Sequence, residues 1–273
     1  PVVWEAPTAP ELVGTFAPND YLKDREVLGL NDGIGPEDIA VDDEGNMYAP
    51  YEDGRVIKYN VFGKSQGVYA NTEGRPLGLD FDAMGNLIIA DAIKGLLSVD
   101  KQNNITVLST ESDGIEFKFT DDVDIGTDGK IYFSDASSGF DIHNYRVDLM
   151  VHRPLGRLLV YDPNTKMTTT LLSGLYFANG VAVSPNGEYV LVNETSEYRV
   201  TKYWLKGDKA GQSEMIIENL PGFPDGISSN GKGVYWVAFP AKRKAIIDNL
   251  AGKPFLRKIV LRLPESAQPA PDQ

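Results

Sequence analysis

Five segments of this chain repeat one pattern, and that repetition constrains the fold more than any other feature. They read GPEDIAVDDEGNMYAP, RPLGLDFDAMGNLIIAD, FTDDVDIGTDGKIYFSD, FANGVAVSPNGEYVLVN and FPDGISSNGKGVYWVAF. Each holds a turn, an alternating apolar run, a glycine-centred turn and a second apolar run. The turn glycines are Gly45, Gly85, Gly129, Gly187 and Gly233, at intervals of 40, 44, 58 and 46 residues. The alternation is strand-like: Ile39, Val41 and Met47 share one face, and Val181 and Val183 repeat the habit. Asp128-Gly129 and Asn186-Gly187 predict hairpins with positive φ at both central residues. Third strands follow in GRVIKYN, GLLSVD, GRLLVYDP and RVTKYWL. Each repeat is therefore a small antiparallel sheet that cannot bury both faces alone. Radial stacking buries them and leaves short edges, so the prediction is an all-β propeller rather than a sandwich with coincidental spacing. One propeller domain covers 1–273, with an N-terminal extension over 1–24. Insertions at 136–155 and 241–262 are expected to act as lids, the second with a short helix near Ala245–Leu250.

Composition removes several chemistries. With no Cys, thiolate nucleophiles, disulfides and Cys-based zinc sites are excluded. The two histidines, His143 and His152, are too few for a His-rich metal site. The net charge of −13 repels phosphate backbones, so no nucleic-acid partner is expected. No run of about 18 apolar residues marks a membrane span.

Counting back eight residues from each turn glycine gives Glu37, Leu77, Asp121, Asn179 and Asp225. Four of these five carry an oxygen side chain at one register, the start of a blade's first strand. Asp and Asn there are ordinary turn formers taken singly. Glu is not, and the recurrence predicts that the four converge at the top of the central channel. Hard oxygen donors suit calcium, which takes six to eight oxygens in flexible geometry. Leu77 supplies no ligand.

GPEDIAVDDEGNMY, FTDDVDIGTDGKIYFSDASS, GRLLVYDPNTKMTTTLLSGLYFANGVAVSPNGEYVLVNETSEYRV and NLPGFPDGI resemble the strictosidine synthase-like family. That family is related to the paraoxonase and gluconolactonase calcium propellers. The resemblance runs from about Trp4 to Leu263 and implies a six-bladed propeller. Five repeats are visible, so the sixth blade is incomplete in this sequence, and REVLGL (25–30) is expected to lend it an outer strand. The family's metal positions fall on Glu37, Asp121, Asn179 and Asp225. Asp121 departs from the more usual Asn, and the added carboxylate would tighten cation binding while reducing Lewis acidity. The paraoxonase histidine pair has no clear counterpart. Bacterial members often carry a membrane anchor before a stretch like PVVWEAPTAPELVGTFAPND, so the resemblance implies an anchored, periplasm-facing protein trimmed ahead of Pro1.

The resemblance implies a calcium-dependent hydrolase of small-molecule esters or lactones, of arylesterase or lactonase type. Asp121, Asp122 or Asp225 would activate water. The rival readings are a non-catalytic, calcium-stabilised binding propeller and an amine–aldehyde condensation of the strictosidine synthase type. The segment 241–262 carries seven Lys/Arg against one Asp, and could touch anionic lipid or an acidic substrate.

Overall fold

Short strands separated by glycine turns build the sheets in strict chain order. β1 (Ala40–Val41), β2 (Met47–Pro50), β3 (Arg55–Tyr59) and β4 (Ser65–Asn71) form the first antiparallel sheet. β5 (Pro76–Phe81), β6 (Leu87–Asp91), β7 (Gly95–Val99) and β8 (Ile105–Ser109) form the second. A small hairpin, β9 (Glu111–Ser112) with β10 (Ile115–Glu116), precedes the third. That sheet holds β11 (Thr120–Ile125), β12 (Ile131–Asp135), β13 (Gly156–Asp162) and β14 (Met167–Leu175). The fourth holds β15 (Ala178–Val183), β16 (Tyr189–Glu194), β17 (Arg199–Trp204) and β18 (Ser213–Ile217). The fifth has two strands, β19 (Ile227–Ser229) and β20 (Tyr235–Val237). This computed structural model describes residues 1–264 and 268. Three short α-helices complete it: α1 (Tyr145–Val151) in the 136–155 insertion, and α2 (Ala245–Leu250) and α3 (Pro254–Val260) in 241–262. The architecture is the all-β propeller that the repeats predict, with four complete blades and a two-stranded fifth among the described residues.

The turn glycines all hold positive φ, from +64° at Gly187 to +85° at Gly233. Asp128 and Asn186 do not join them. Only the glycine is left-handed, closing a turn in which Gly129 N–H donates to Gly126 O at 2.9 Å. The hairpins are thus type I turns ending on a bulge glycine, not turns with two left-handed residues.

Blade-to-blade packing buries the apolar faces. Val56, Leu79, Leu87 and Leu97 fill the first joint. Ile88, Leu96, Phe133 and Leu159 fill the second, and Leu158, Val181, Val190 and Val192 the third. Each fully buried Leu or Phe is worth roughly 1.5–3 kcal/mol of transfer free energy. Blade 1 differs on its other side. Ile39 and Val41 are 49 % and 56 % exposed, because no blade covers that face among the described residues. The segment 25–30 forms no strand, contrary to expectation.

Aspartates on the inner strands cross-link the blades. Asp38, Asp80, Asp122 and Asp124 each accept their own next residue's N–H on Oδ1. On Oδ2 each accepts an N–H of the following blade: Leu79 at 2.9 Å, Ile125 at 3.0 Å, Val181 at 2.7 Å and Val183 at 2.6 Å. Burial pushes all four carboxyls up, and the neighbouring Asp124 charge helps push Asp80 to about 7. A carboxyl raised in the folded state stabilises fully below its unfolded value and loses that contribution as pH rises through the folded one. Wild-type stability should therefore fall between about pH 4 and 7 from this group, by a few kcal/mol at most. Asp80→Asn cannot ionise, but it keeps only one of the two acceptor oxygens that Phe81 and Ile125 use. Its urea-unfolding free energy relative to wild type should therefore be less unfavourable at pH 8 than at pH 4. An equal difference at both would remove Asp80 from the pH dependence.

Candidate functional site

The inner strands bulge where the site is built. In β5, β11 and β15 the pairing slips by one residue, between Pro76 and Leu79, Thr120 and Val123, and Ala178 and Val181. The residues freed from the ladder are Leu77-Gly78, Asp121-Asp122 and Asn179-Gly180. Bulges re-aim side chains in this way, so Asp121 and Asn179 leave the sheet plane at equivalent places. Glycine follows where two backbones crowd: a Cβ at Gly180 would stand 2.5 Å from Asp225 O and from Ile227 N.

An acidic residue fixes the start of each of these strands. Asp91 and Asp135 accept the N–H groups of Arg75 and Phe119, at 3.0 and 2.9 Å. Glu194 accepts that of Tyr176 at 3.0 Å. Two of these acids carry a cation as well: Arg157 Nη2 is 2.6 Å from Asp135 Oδ2, and Arg199 Nε is 2.7 Å from Glu194 Oε1.

Glu37, Asp121, Asn179 and Asp225 all line one cavity of about 250 Å³, with Leu77, Asp38 and Asp122. Asn179 Nδ2 donates to Asp225 Oδ1 at 2.6 Å. Asn193 steadies the same loop by donating to the Asp225 carbonyl at 2.5 Å. Burial and the Glu37 charge push Asp225 up to about 6, against the pull of the Asn179 amide. Asp121 is raised well above the usual range by burial, then by the charges of Asp225, Asp122 and Glu37. Nearly half the Glu37 side chain is open to solvent, yet enclosure in the cavity still raises its carboxyl. Arg75 opposes both last shifts. Its buried guanidinium lies 3.1 Å from Glu37 Oε1 and 2.8 Å from Gly35 O. With all three ionised, the Glu37, Asp121 and Asp225 carboxylates and the Arg75 guanidinium sum to −2, the complement of a divalent cation.

The donor set is right for a hard cation: four oxygen-bearing side chains from four blades, with like charges raising one another's pKa values. It is not a closed cage, since no three Asp, Glu, His or Cys side chains among the described residues stand close enough to enclose an ion. Water or substrate would complete the shell. Asp122 sits beside the ring, but both its oxygens are taken by the Val123 and Val181 N–H groups, which gives it a positioning role.

Above this floor opens a second cavity of about 710 Å³, which also reaches Glu37, Asp121, Asn179 and Asp225. Its walls are mostly apolar, with Leu77, Phe119, Leu149, Phe177, Tyr198 and Phe223 among them. Both insertions line it: His143 and Tyr145 from the first, Ile247 and Val260 from the second. His152 also lines it, stacked 3.9 Å from the Trp4 ring with Nε2 2.8 Å from Glu197 Oε1. Arg75, Asn193 and the strand-start acids were not singled out from the sequence. The acids do leave a signal, since the repeats LIIAD, IYFSD and LVNE each end in one.

Comparison with known proteins agrees with this architecture. Residues 14–59 match the N-terminal region of the strictosidine synthase-like family, and residues 121–208 match strictosidine synthase. Strictosidine synthase-like 3 of Arabidopsis thaliana is 36 % identical, over 91 % of this chain and 70 % of its own length. The adipocyte plasma membrane-associated protein of Bos taurus is 37 % identical, over 93 % and 66 %. Strictosidine synthase-like 6 of Arabidopsis thaliana is 39 % identical over 88 % of this chain, which spans 65 % of that relative. Among solved structures, a gluconolactonase of Xanthomonas campestris superposes with TM-score 0.64 at 17 % identity, over 77 % of this chain and 71 % of that one. A calcium-binding regucalcin of Agrobacterium tumefaciens gives TM-score 0.59 at 15 % identity, over 76 % and 68 %. At those identities the likeness concerns the fold alone. The sequence relatives go further, and on them this chain belongs to the strictosidine synthase-like family.

Proposed function

We propose that this chain is a calcium-dependent hydrolase of esters or lactones. One observation carries the reading: Glu37, Asp121, Asn179 and Asp225, from four blades, line one cavity at the base of a larger apolar one. Those four side chains would hold the ion, which when bound supplies Lewis acidity toward a carbonyl oxygen. The apolar walls hold the acyl or aryl body and exclude water from it. Asp225, with its carboxyl near 6, is ionised at neutral pH and suited to take a proton from water. Asn179 holds the Asp225 carboxylate in place through its 2.6 Å hydrogen bond. Likeness to a gluconolactonase and to a calcium-binding regucalcin supports the reading at the level of fold.

Phenyl acetate and γ-lactones are the test substrates. Hydrolysis should stop on adding EDTA and return with excess calcium. Turnover indifferent to chelation would end the metal-dependent reading. Calcium that raises Tm without any turnover on an ester, lactone and phosphotriester panel would favour a binding propeller instead.

A further inference from the structure

We propose that the outer face of α3 and the adjoining N-terminal segment form a docking surface for a membrane carrying anionic phospholipid. The proposal does not depend on the hydrolase reading, because it concerns a surface and not the metal cavity.

The argument begins with α3. At about 100° per residue, Phe255 and Ile259 share one side of the helix, Arg257 lies opposite them, and Leu256 and Val260 sit at the boundary. The structure uses the two sides differently. Arg257 is 2 % exposed and donates to Met150 O and Ala251 O, both at 2.9 Å, and to Val2 O. Arg257 and Val260 line the larger cavity, so that side of the helix is its wall. On the side away from Arg257, Phe255 is 72 % and Ile259 44 % exposed, with Leu256 at 42 % on the boundary. Val3, 69 % exposed, lies on the adjoining segment, which is tied to this region because Trp4 N–H donates to Ala251 O. Large apolar side chains clustered on a surface mark an interaction site.

Charge selects the occupant. Lys253, Lys258 and Arg262 are exposed around the patch. Positions 242–262 carry seven basic residues and one acidic on a chain whose total is −13, and of the seven Arg243 and Arg257 are turned inward, Arg243 onto Asp248 and Arg257 onto main-chain carbonyls. A basic rim around an apolar centre is the pattern of helices that lie in the interface of an anionic bilayer. A second copy of this chain would bring its own cations against these, and they would repel. Because α3 also walls the cavity, docking would place the bilayer surface beside it.

The test uses the 273-residue chain in flotation with vesicles of phosphatidylcholine alone or with about a third phosphatidylglycerol. Binding is expected to the mixed vesicles and to fall steeply with salt. K253Q/K258Q/R262Q should weaken it by about fivefold for each charge removed, on the order of a hundredfold together. F255S/I259S should weaken binding to the mixed vesicles at least about tenfold. These side chains are exposed, so circular dichroism and Tm should match wild type in both variants. Equal binding to both vesicle types, or full binding by either variant, would overturn the proposal. So would failure to bind vesicles at all. A concentration-dependent dimer that F255S/I259S disperses, without vesicle binding, would assign the face to a second copy.

Discussion

Asp225→Ala is expected to lower calcium affinity by at least about a hundredfold and ester or lactone turnover by about 10³-fold or more. The substitution removes one of three carboxylates from the ring and leaves the Asn179 amide without its 2.6 Å acceptor. It also removes one of the charges that raise Asp121. The pH dependence follows from the same group. Burial beside Glu37 pushes the Asp225 carboxyl up to about 6, so at pH 5 it is mostly protonated and competes poorly for a cation. Wild-type calcium affinity should therefore drop as pH falls through about 6, and the variant should lose the part of that dependence that Asp225 supplies, keeping the part due to Asp121 and Glu37. Calorimetric titration with calcium at pH 5 and pH 8 reads both effects. A variant that binds and turns over like wild type would place the metal, and with it the proposed chemistry, elsewhere.

Asp135→Ala is expected to destabilise the fold by about 3–5 kcal/mol, the usual cost of orphaning a buried charge. Asp135 is fully buried, and Arg157 is paired with it at 2.6 Å while nearly buried itself. Its other oxygen accepts the N–H groups of Lys118 and Phe119, which set the path into β11 and hence the place of Asp121. The double variant with Arg157→Met should recover part of the loss, because no unpaired guanidinium then remains. Urea denaturation of the single and double variants measures both. A loss of less than about 1 kcal/mol for Asp135→Ala would mean that solvent reaches Arg157 and relieves it.

Much of this was legible in the sequence because a propeller repeats itself. Turn glycines at regular intervals gave the blades, and one register eight residues earlier gave Glu37, Asp121, Asn179 and Asp225, which the fold brings to one cavity. Repetition was also the limit of that reading. Arg75 falls outside the register and reaches Glu37 across a blade boundary, a contact that only the folded arrangement supplies. The hydrogen bond from Val181 to Asp122 is hidden for a similar reason, since the two lie 59 residues apart. Ile39 and Val41 alternate like core residues, yet they face outward because burial depends on a neighbouring blade and not on the strand. The bulges at Leu77, Asp121 and Asn179 leave only a partial mark, the glycines Gly78 and Gly180, although they are what re-aims those side chains.

The joints between blades have a bearing on how such a chain can vary. At each of the first three an aspartate reads a main-chain N–H of its neighbour: Leu79, Ile125, Val181 or Val183. A backbone donor is the same whatever residue bears it, proline excepted. Substitution at those four positions is therefore answerable to packing alone, and drift there leaves the latch intact. The aspartates have no such latitude, so the modules can diverge widely while a handful of acids keeps them in step.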